Sequence, residues 1–476
     1  MHRLLPCLAL LLLVLCASAK AADETWMTVL ADGRKVGSAH NQRTVTGDTV
    51  ISRQSLTLVF ERSGTHLRVS SVETDTETLS GEPLAFESRT DSAGSRSEVR
   101  GTRQPDGRFA LTRRVGSSTQ ESLLDWPANA LLAEGQRLAS LHALKQAGDT
   151  LALVAYDPQS GAALHLTATA IGPEKVDLPG GEETLLRVEE TTALPVGETR
   201  STVWLDSTGN ARKIRLQAAG ITLDMLACSK ACAEAPTQAA DVFAHSMTQL
   251  PRRLTPRDLA GTLRYHLRSR DGRPLHFATT NEQRVESDGK NGWLVRVGPA
   301  DGNREAAPTA DDTHANAWLQ ADNAEIRTAA RKAVGTLVDS DARMRRLTAF
   351  VRQHIRDKDL SVGYATALDT LHSRQGDCTE HAVLLAALAR ALDIPARVVT
   401  GLAYAPNYAG QTNVLVPHAW VQAWVNGRWH SFDAALGQFD AGHIALDVGN
   451  GDPWRFFAGL DTLGRIRVDG VRKIRP

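Results

Sequence analysis

Gln375-Gly376-Asp377-Cys378-Thr379-Glu380-His381, followed by the almost unbroken apolar run 382–392, is the stretch whose reading decides the fold. The glycine breaks the segment before it, Asp377 can cap the next helix, and Glu380 stands where a capping box needs its carboxylate. Cys378 is then the first residue inside a helix that is apolar nearly all round, with Arg390 its main polar interruption, so the helix belongs in a core. Unpaired backbone N–H groups and the positive end of the helix favour a thiolate at that position over a thiol. A cysteine there can equally be a small core filler, and residues 415–433 decide between the two.

Ile394-Pro395 stops the helix. Residues 396–404 read as a strand, 405–411 as a loop, and 415–425 as a second strand with His418, Trp420, Gln422 and Trp424 on one face. Asn426-Gly427 is a strong hairpin signal, and a two-residue turn there sets Val425 opposite Arg428, Trp424 opposite Trp429 and Trp420 opposite Asp433. His418 and Asp433 then share a face and lie diagonally across the ribbon, within reach of a histidine–carboxylate hydrogen bond. Cys378, His418 and Asp433 make a candidate nucleophile, base and orienter. In that arrangement Cys378 attacks a carbonyl carbon, His418 returns the proton to the leaving amine, and Asp433 fixes the imidazole tautomer. The Cys378 N–H would form part of an oxyanion hole.

Gly376-Asp377-Cys378-Thr379-Glu380-His381, Pro417-His418-Ala419-Trp420 and Trp429-His430-Ser431-Phe432-Asp433 together resemble the transglutaminase-like superfamily. The resemblance covers residues 318–450. It implies a papain-like α+β core and the same assignment of Cys378, His418 and Asp433, in a superfamily of crosslinking enzymes, deamidases, peptidases and some inactive relatives. The sequence is most similar to exported bacterial members, through Leu436-Gly437-Gln438 with Asp440, His443 and Ile444 beyond. Those chains commonly have Asp-Pro after the final strand; Asp433-Ala434 here loosens a turn without removing the carboxylate.

The rest of the chain frames this domain. Residues 1–21 carry a basic start at Arg3, an apolar stretch over 8–17 and small residues at Ala19 and Ala21, the pattern of a secretory signal peptide cleaved after either alanine. The apolar stretch is short for a membrane anchor, and Leu15 stands before Cys16 where a lipoprotein signal needs a small residue. A periplasmic or extracellular protein with no integral membrane segment after cleavage is expected. Lys+Arg and Asp+Glu balance at 54 each, without a basic cluster interleaved with aromatics, which argues against nucleic acid as a partner. Of the five cysteines, Cys7 and Cys16 leave with the signal; Cys228 and Cys232 could pair, and Cys378 is the odd, reactive candidate.

Residues 22–230 read as an antiparallel β-rich domain, curled or packed as a sandwich, with a helix over 129–145. Residues 231–305 form a connector and a small β-rich region, 300–316 a linker, and 317–476 the catalytic domain. The chain is therefore multidomain: antiparallel all-β, then α+β of papain-like, transglutaminase-like type. Tyr364, Trp420 and His381 are secondary candidates for the substrate cleft, each with an ordinary packing role as the alternative. Neither a metal nor a cofactor is called for. The expected substrate is an amide of a peptide or protein, hydrolysed by a peptidase or amidase or passed to a primary amine. Crosslinking transglutaminase and inactive peptide-binding scaffold are the competing readings.

Overall fold

Threonine- and arginine-rich alternating text in the first half forms long antiparallel strands, as its period requires. The computed structural model describes residues 23–62, 65–92, 95–194, 197–218, 221–238, 240–241, 246–299, 305–357, 365–452 and 460–474. The expected leader and Tyr364 lie outside the described residues. The chain divides into two units, 1–242 and 243–476.

In the first unit two meanders join where Asp23–Ala31 pairs antiparallel with Ile221–Cys228, Trp26 opposite Cys228. The sheet curls upon itself. Phe109 of one meander and Tyr156 of the other pack on Trp126 with ring centroids 4.3 and 4.6 Å away. Against this sheet lies the helix Ala133–Ala143, which has no cap of its own; Glu77 accepts from the N–H groups of Glu134 (2.6 Å) and Gly135 (2.9 Å) instead. Glu134, 1% exposed, receives Arg43 Nε at 2.9 Å and Arg137 Nε at 2.7 Å. Burial pushes the Glu134 carboxyl up, but the two guanidiniums outweigh it and hold it below the ordinary carboxylate range. Cys228 and Cys232 are both free thiols, and burial with the neighbouring Cys232 pushes Cys228 up to about 12.

The elements of the second unit are numbered within it. They are β1 (Thr248–Gln249), α1 (Pro256–Leu259), β2 (Thr262–Ser269), β3 (Gln283–Ser287), β4 (Gly292–Val297), α2 (Ala324–Val334), α3 (Ser340–His354), α4 (Ala367–Ser373) and α5 (Cys378–Arg390), then β5 (Ala396–Tyr408), β6 (Gln411–Val425), β7 (Arg428–Phe432), β8 (His443–Gly449), α6 (Leu460–Arg465) and β9 (Ile466–Ile474). One sheet runs β1–β6–β5–β8 with β7 also on β6, and a second runs β3–β4–β2–β9. Leu263, Tyr265 and Val295 of the second sheet share one buried core with Leu402, Leu415 and Ile444 of the first. Every residue of α5 after Cys378 is buried, and the helix packs on β5 and β6 with α2, α3 and α4 around it. The architecture is the expected one, an antiparallel β region followed by an α+β region.

The hairpin register is the one that Asn426-Gly427 predicts: Val425 opposite Arg428, Trp424 opposite Trp429, Val421 opposite Phe432. The two tryptophan rings meet edge-on at 5.5 Å. The expected loop 405–411 is instead the end of two strands, with Tyr408 opposite Gln411 across a two-residue turn. Its central residues Ala409 and Gly410 have φ of 47° and 77°, and an alanine in the left-handed region carries no turn signal in sequence. The outer edge of β7 is covered by side chains rather than by a strand. Glu282 accepts the Ser431 N–H at 2.8 Å and Asn281 donates to the Trp429 carbonyl at 3.0 Å. Of the expected linker 300–316, the described part from residue 305 is anchored here, with the Trp429 indole donating to the Ala306 carbonyl at 3.0 Å.

Replacing Glu134 by Gln removes the one carboxylate between two buried guanidiniums, so E134Q should cost about 3 kcal/mol of stability. Urea unfolding of the full chain checks this; a loss under about 1 kcal/mol would place the ion cluster among the energetically neutral ones.

Candidate active site

The helix start is built as its sequence demands. Asp377 accepts the Thr379 N–H at 2.9 Å, and Glu380 returns to the Asp377 N–H at 2.8 Å, closing the capping box. Glu380 is fully buried, and its other oxygen accepts the Ala365 N–H at 2.9 Å, so one carboxyl ties the segment before α4 to the start of α5. Burial, with the Asp377 charge beside it, pushes that carboxyl well above the ordinary range. Gly376 has φ +144°, and a Cβ there would stand 2.4 Å from Glu380 Cβ. Cys378, half-buried, is thereby held at the first helical position, with the helix behind it seated on β6.

His418 lies on β6 opposite Gly401 of β5, where the register with β8 shifts, Thr400 facing Asp447 and Gly401 facing Ala445; a Cβ on Gly401 would fall 2.0 Å from the Ile444 carbonyl oxygen. Asp433 comes directly after β7 and is 1% exposed. Its Oδ2 accepts from His418 Nε2 at 2.8 Å and from His443 Nε2 at 3.0 Å. Its Oδ1 accepts the N–H groups of Ala435 (2.7 Å) and Leu436 (3.0 Å). Burial raises the Asp433 carboxyl, but the two histidines win and hold it far below the ordinary range. His443 is pulled down by burial and up by Asp433 and Asp440, ending at about 9.

The sequence-predicted residues separate into three groups. His418, Asp433 and Trp420 come together: the indole lies 6.2 Å from the His418 ring at 23° and 5.2 Å, edge-on, from His443. His381 is buried and its Nδ1 donates to the Asp377 carbonyl at 2.5 Å, the bond of a helix residue to its own first turn. Tyr364 is outside the described residues. The hydrogen-bonded set at Asp433 holds two histidines and no cysteine. Sequence reading missed the part played by His443; the one signal available was Asp440 three residues before it, the spacing that lets the aspartate meet the ring at 3.2 Å. These three side chains are also the one grouping among the described residues whose donor atoms lie close enough for a metal ion. Both histidines stand at hydrogen-bond distance from Asp433, and its remaining oxygen is occupied by backbone, so the carboxylate is satisfied as it stands.

A pocket of about 400 Å³ opens between α3 and β7 and reaches Asp433, with Arg345, Arg352, His430, Gln438 and Phe439 among its lining. Cys378 does not line it.

Compared with known proteins, residues 327–434 match the family described as the Transglutaminase-like superfamily. Residues 327–434 form a transglutaminase-like domain. Cys378, His418 and Asp433 fall inside the matched span, and His443 falls beyond it. An uncharacterized protein of Mycobacterium leprae is 36% identical over 88 residues, 18% of this chain and 32% of that relative, so the shared segment spans about a third of the relative's length. Among solved structures, a protein described as a cysteine protease from Cytophaga hutchinsonii is 17% identical, covering 46% of this chain and 84% of that one, with TM-score 0.30. The periplasmic domain of TgpA from Pseudomonas aeruginosa is 19% identical over 44% of this chain and 76% of its own, with TM-score 0.27. Superpositions this loose carry no function across.

Because Gly376 is both left-handed and pressed against Glu380, G376A should displace the capping box, costing roughly 2 kcal/mol. Cys378 moves with it. Thermal unfolding with alkylation kinetics of Cys378 checks this; an unchanged rate would mean that the helix start tolerates the added methyl group.

Proposed function

We propose that the transglutaminase-like domain is a thiol enzyme acting on amide bonds of peptides or proteins, with Cys378 as nucleophile, His418 as acid and base, and Asp433 as orienter. The observation that carries this reading is the 2.8 Å bond from His418 Nε2 to a carboxylate withdrawn from solvent. With Nε2 committed to Asp433, Nδ1 is the nitrogen left to exchange a proton with a thiol. Position supports it too, since a cysteine at the first turn of a buried helix has its thiolate favoured by the helix end.

The chemistry then runs in two halves. The Cys378 thiolate adds to the amide carbon, and the Cys378 N–H steadies the oxyanion. Protonated His418 gives its proton to the leaving amine as the C–N bond breaks, leaving a thioester. Water, or a primary amine, attacks the thioester; His418 takes the proton of the incoming group and the thiolate departs, releasing an acid or a new amide. Hydrolysis needs only water, whereas transamidation needs an amine to arrive first. The leader pattern over residues 1–21 supports an activity outside the cytoplasm, with the periplasm the first expectation. No helix of the described residues is long and apolar enough to cross a membrane.

A second reading has its own support: the hydrogen-bonded cluster at Asp433 is His–Asp–His, without a cysteine, as suits a domain that binds peptide without cutting it. One experiment separates them. The mature chain and C378A are incubated with a peptide pool, with and without a primary amine, and the products weighed. Shortened peptides mean proteolysis, a one-dalton gain deamidation, and amine incorporation transamidation. Identical products from both chains would sink the enzyme. Removing the base in H418A should lower turnover by roughly a thousandfold, and a smaller loss than about tenfold would remove His418 from the mechanism.

A further inference from the structure

Asp433 serves two histidines from one oxygen. His443 Nε2 reaches Oδ2 at 3.0 Å, beside His418 at 2.8 Å, and the two rings stand 5.7 Å apart. On its other side His443 Nδ1 faces the Asp440 carbonyl at 3.1 Å and Asp440 Oδ1 at 3.2 Å. The Asp440 N–H also lies 3.3 Å from Nδ1, and the ring, 2% exposed, stands between two carboxylates, Asp433 at Nε2 and Asp440 at Nδ1. Among the described residues, the titratable groups bonded to it or in ring contact with it are Asp433, Asp440 and His418, and the rings of Trp420 and Phe439 pack on it as well. Two carboxylates outweigh burial there, in keeping with a ring that stays charged at neutral pH.

We propose that His443 is a positioning residue for the thiol chemistry: as a cation shared between Asp433 and Asp440, it locks the Asp433 carboxylate and takes up part of its charge. The proposal rests on Cys378, His418 and Asp433 acting as nucleophile, base and orienter. Its physical reason lies in a conflict within such a triad. A buried carboxylate close to an imidazole orients it, but also makes it a stronger base, and a histidine held too firmly as a cation gives its proton up poorly to the leaving amine. A second cation on the same oxygen keeps the orientation and weakens the pull. It also gives Oδ2 a second fixed donor, as the Ala435 and Leu436 amides fix Oδ1.

The test reads the His418 proton at Cys378. Iodoacetate alkylates a thiolate faster while a neighbouring imidazolium attracts its carboxylate, so its rate at Cys378 falls at alkaline pH as that proton leaves. The rate is followed against pH in the mature chain and in H443Q, which places an uncharged donor near the Nε2 position; the rate remaining in C378A is subtracted for the other thiols. With the neighbouring cation gone, the alkaline limb in H443Q should move up by roughly one pH unit. H443A, which loses the donor as well, should lose up to about a hundredfold in kcat with KM little changed. A residue that only fills space would lower the melting temperature and leave the limb in place, so superimposed limbs overturn the proposal. Should H443Q fail to fold, C378A labelled with 15N-histidine gives the reading instead. One ring protonated on both nitrogens at pH 8 is expected, and neutral rings throughout would refute it. Failure of the underlying enzyme reading looks different, since the chain and C378A would then alkylate and turn over alike.

Discussion

A carboxylate withdrawn from water has to be met by donors on both oxygens, and at Asp433 that requirement shapes the site. The donors come from three places in the chain: His418 on β6, the amides of Ala435 and Leu436, and His443 at the start of β8. Each makes a demand on the backbone. The chain must turn back on itself immediately after β7, as the bond from the Gly437 N–H to the Asp433 carbonyl at 3.0 Å records. β8 must approach β5 closely, which the missing side chain of Gly401 permits. Leaving any one donor unmade would cost several kcal/mol in so dry a place, so the geometry of the pair His418–Asp433 is over-determined by the fold around it.

The helix start is held by the same kind of constraint with the roles reversed. There the orphaned groups are backbone N–H donors, and the acceptors are Asp377 and the buried Glu380. Because Glu380 also accepts from Ala365, moving the helix start would strand a buried polar group on another element. A capped helix and a bonded hairpin are therefore joined, since α5 packs on β6. On the proposed reading, a thiol and an imidazole placed on elements so held would lose little further entropy when they react.

Much of this was legible in sequence where local chemistry alone decides the outcome. Asn426-Gly427 specifies a two-residue turn, the turn specifies the register, and the register brings His418 to Asp433. Asp377 and Glu380 likewise cap the helix they precede. Features set by distant partners were not legible. His443 reaches Asp433 only because β8 pairs with β5, and nothing near residue 443 states that pairing. The turn at Ala409-Gly410 hid behind an alanine, and Glu282 gave no sign that it would close the edge of β7. In the first unit the alternation predicted strands, but not that Arg43, Glu134 and Arg137 would share a buried cluster, since their partnership spans 94 positions from Arg43 to Arg137. Sequence patterns report which face of an element is buried; they do not report which elements face one another.

The span that matches the transglutaminase-like family, 327–434, is therefore smaller than the structure its site needs. The edge strand carrying the approach to Asp433 is closed by Asn281 and Glu282, well upstream of the match. Arg397 lies over the Trp429 ring at 3.9 Å and pairs with Glu305, again from outside it. The second histidine on Asp433 lies downstream. If the matched span alone carried the site, β7 would present a bare edge and Asp433 would lose one of the two donors on Oδ2. The second sheet, which shares its core with the strands bearing His418 and His443, is thus part of what makes the buried carboxylate tolerable. Residues far from Asp433 in sequence thus help to keep its bond to His418, because they hold in place the strand after which it comes.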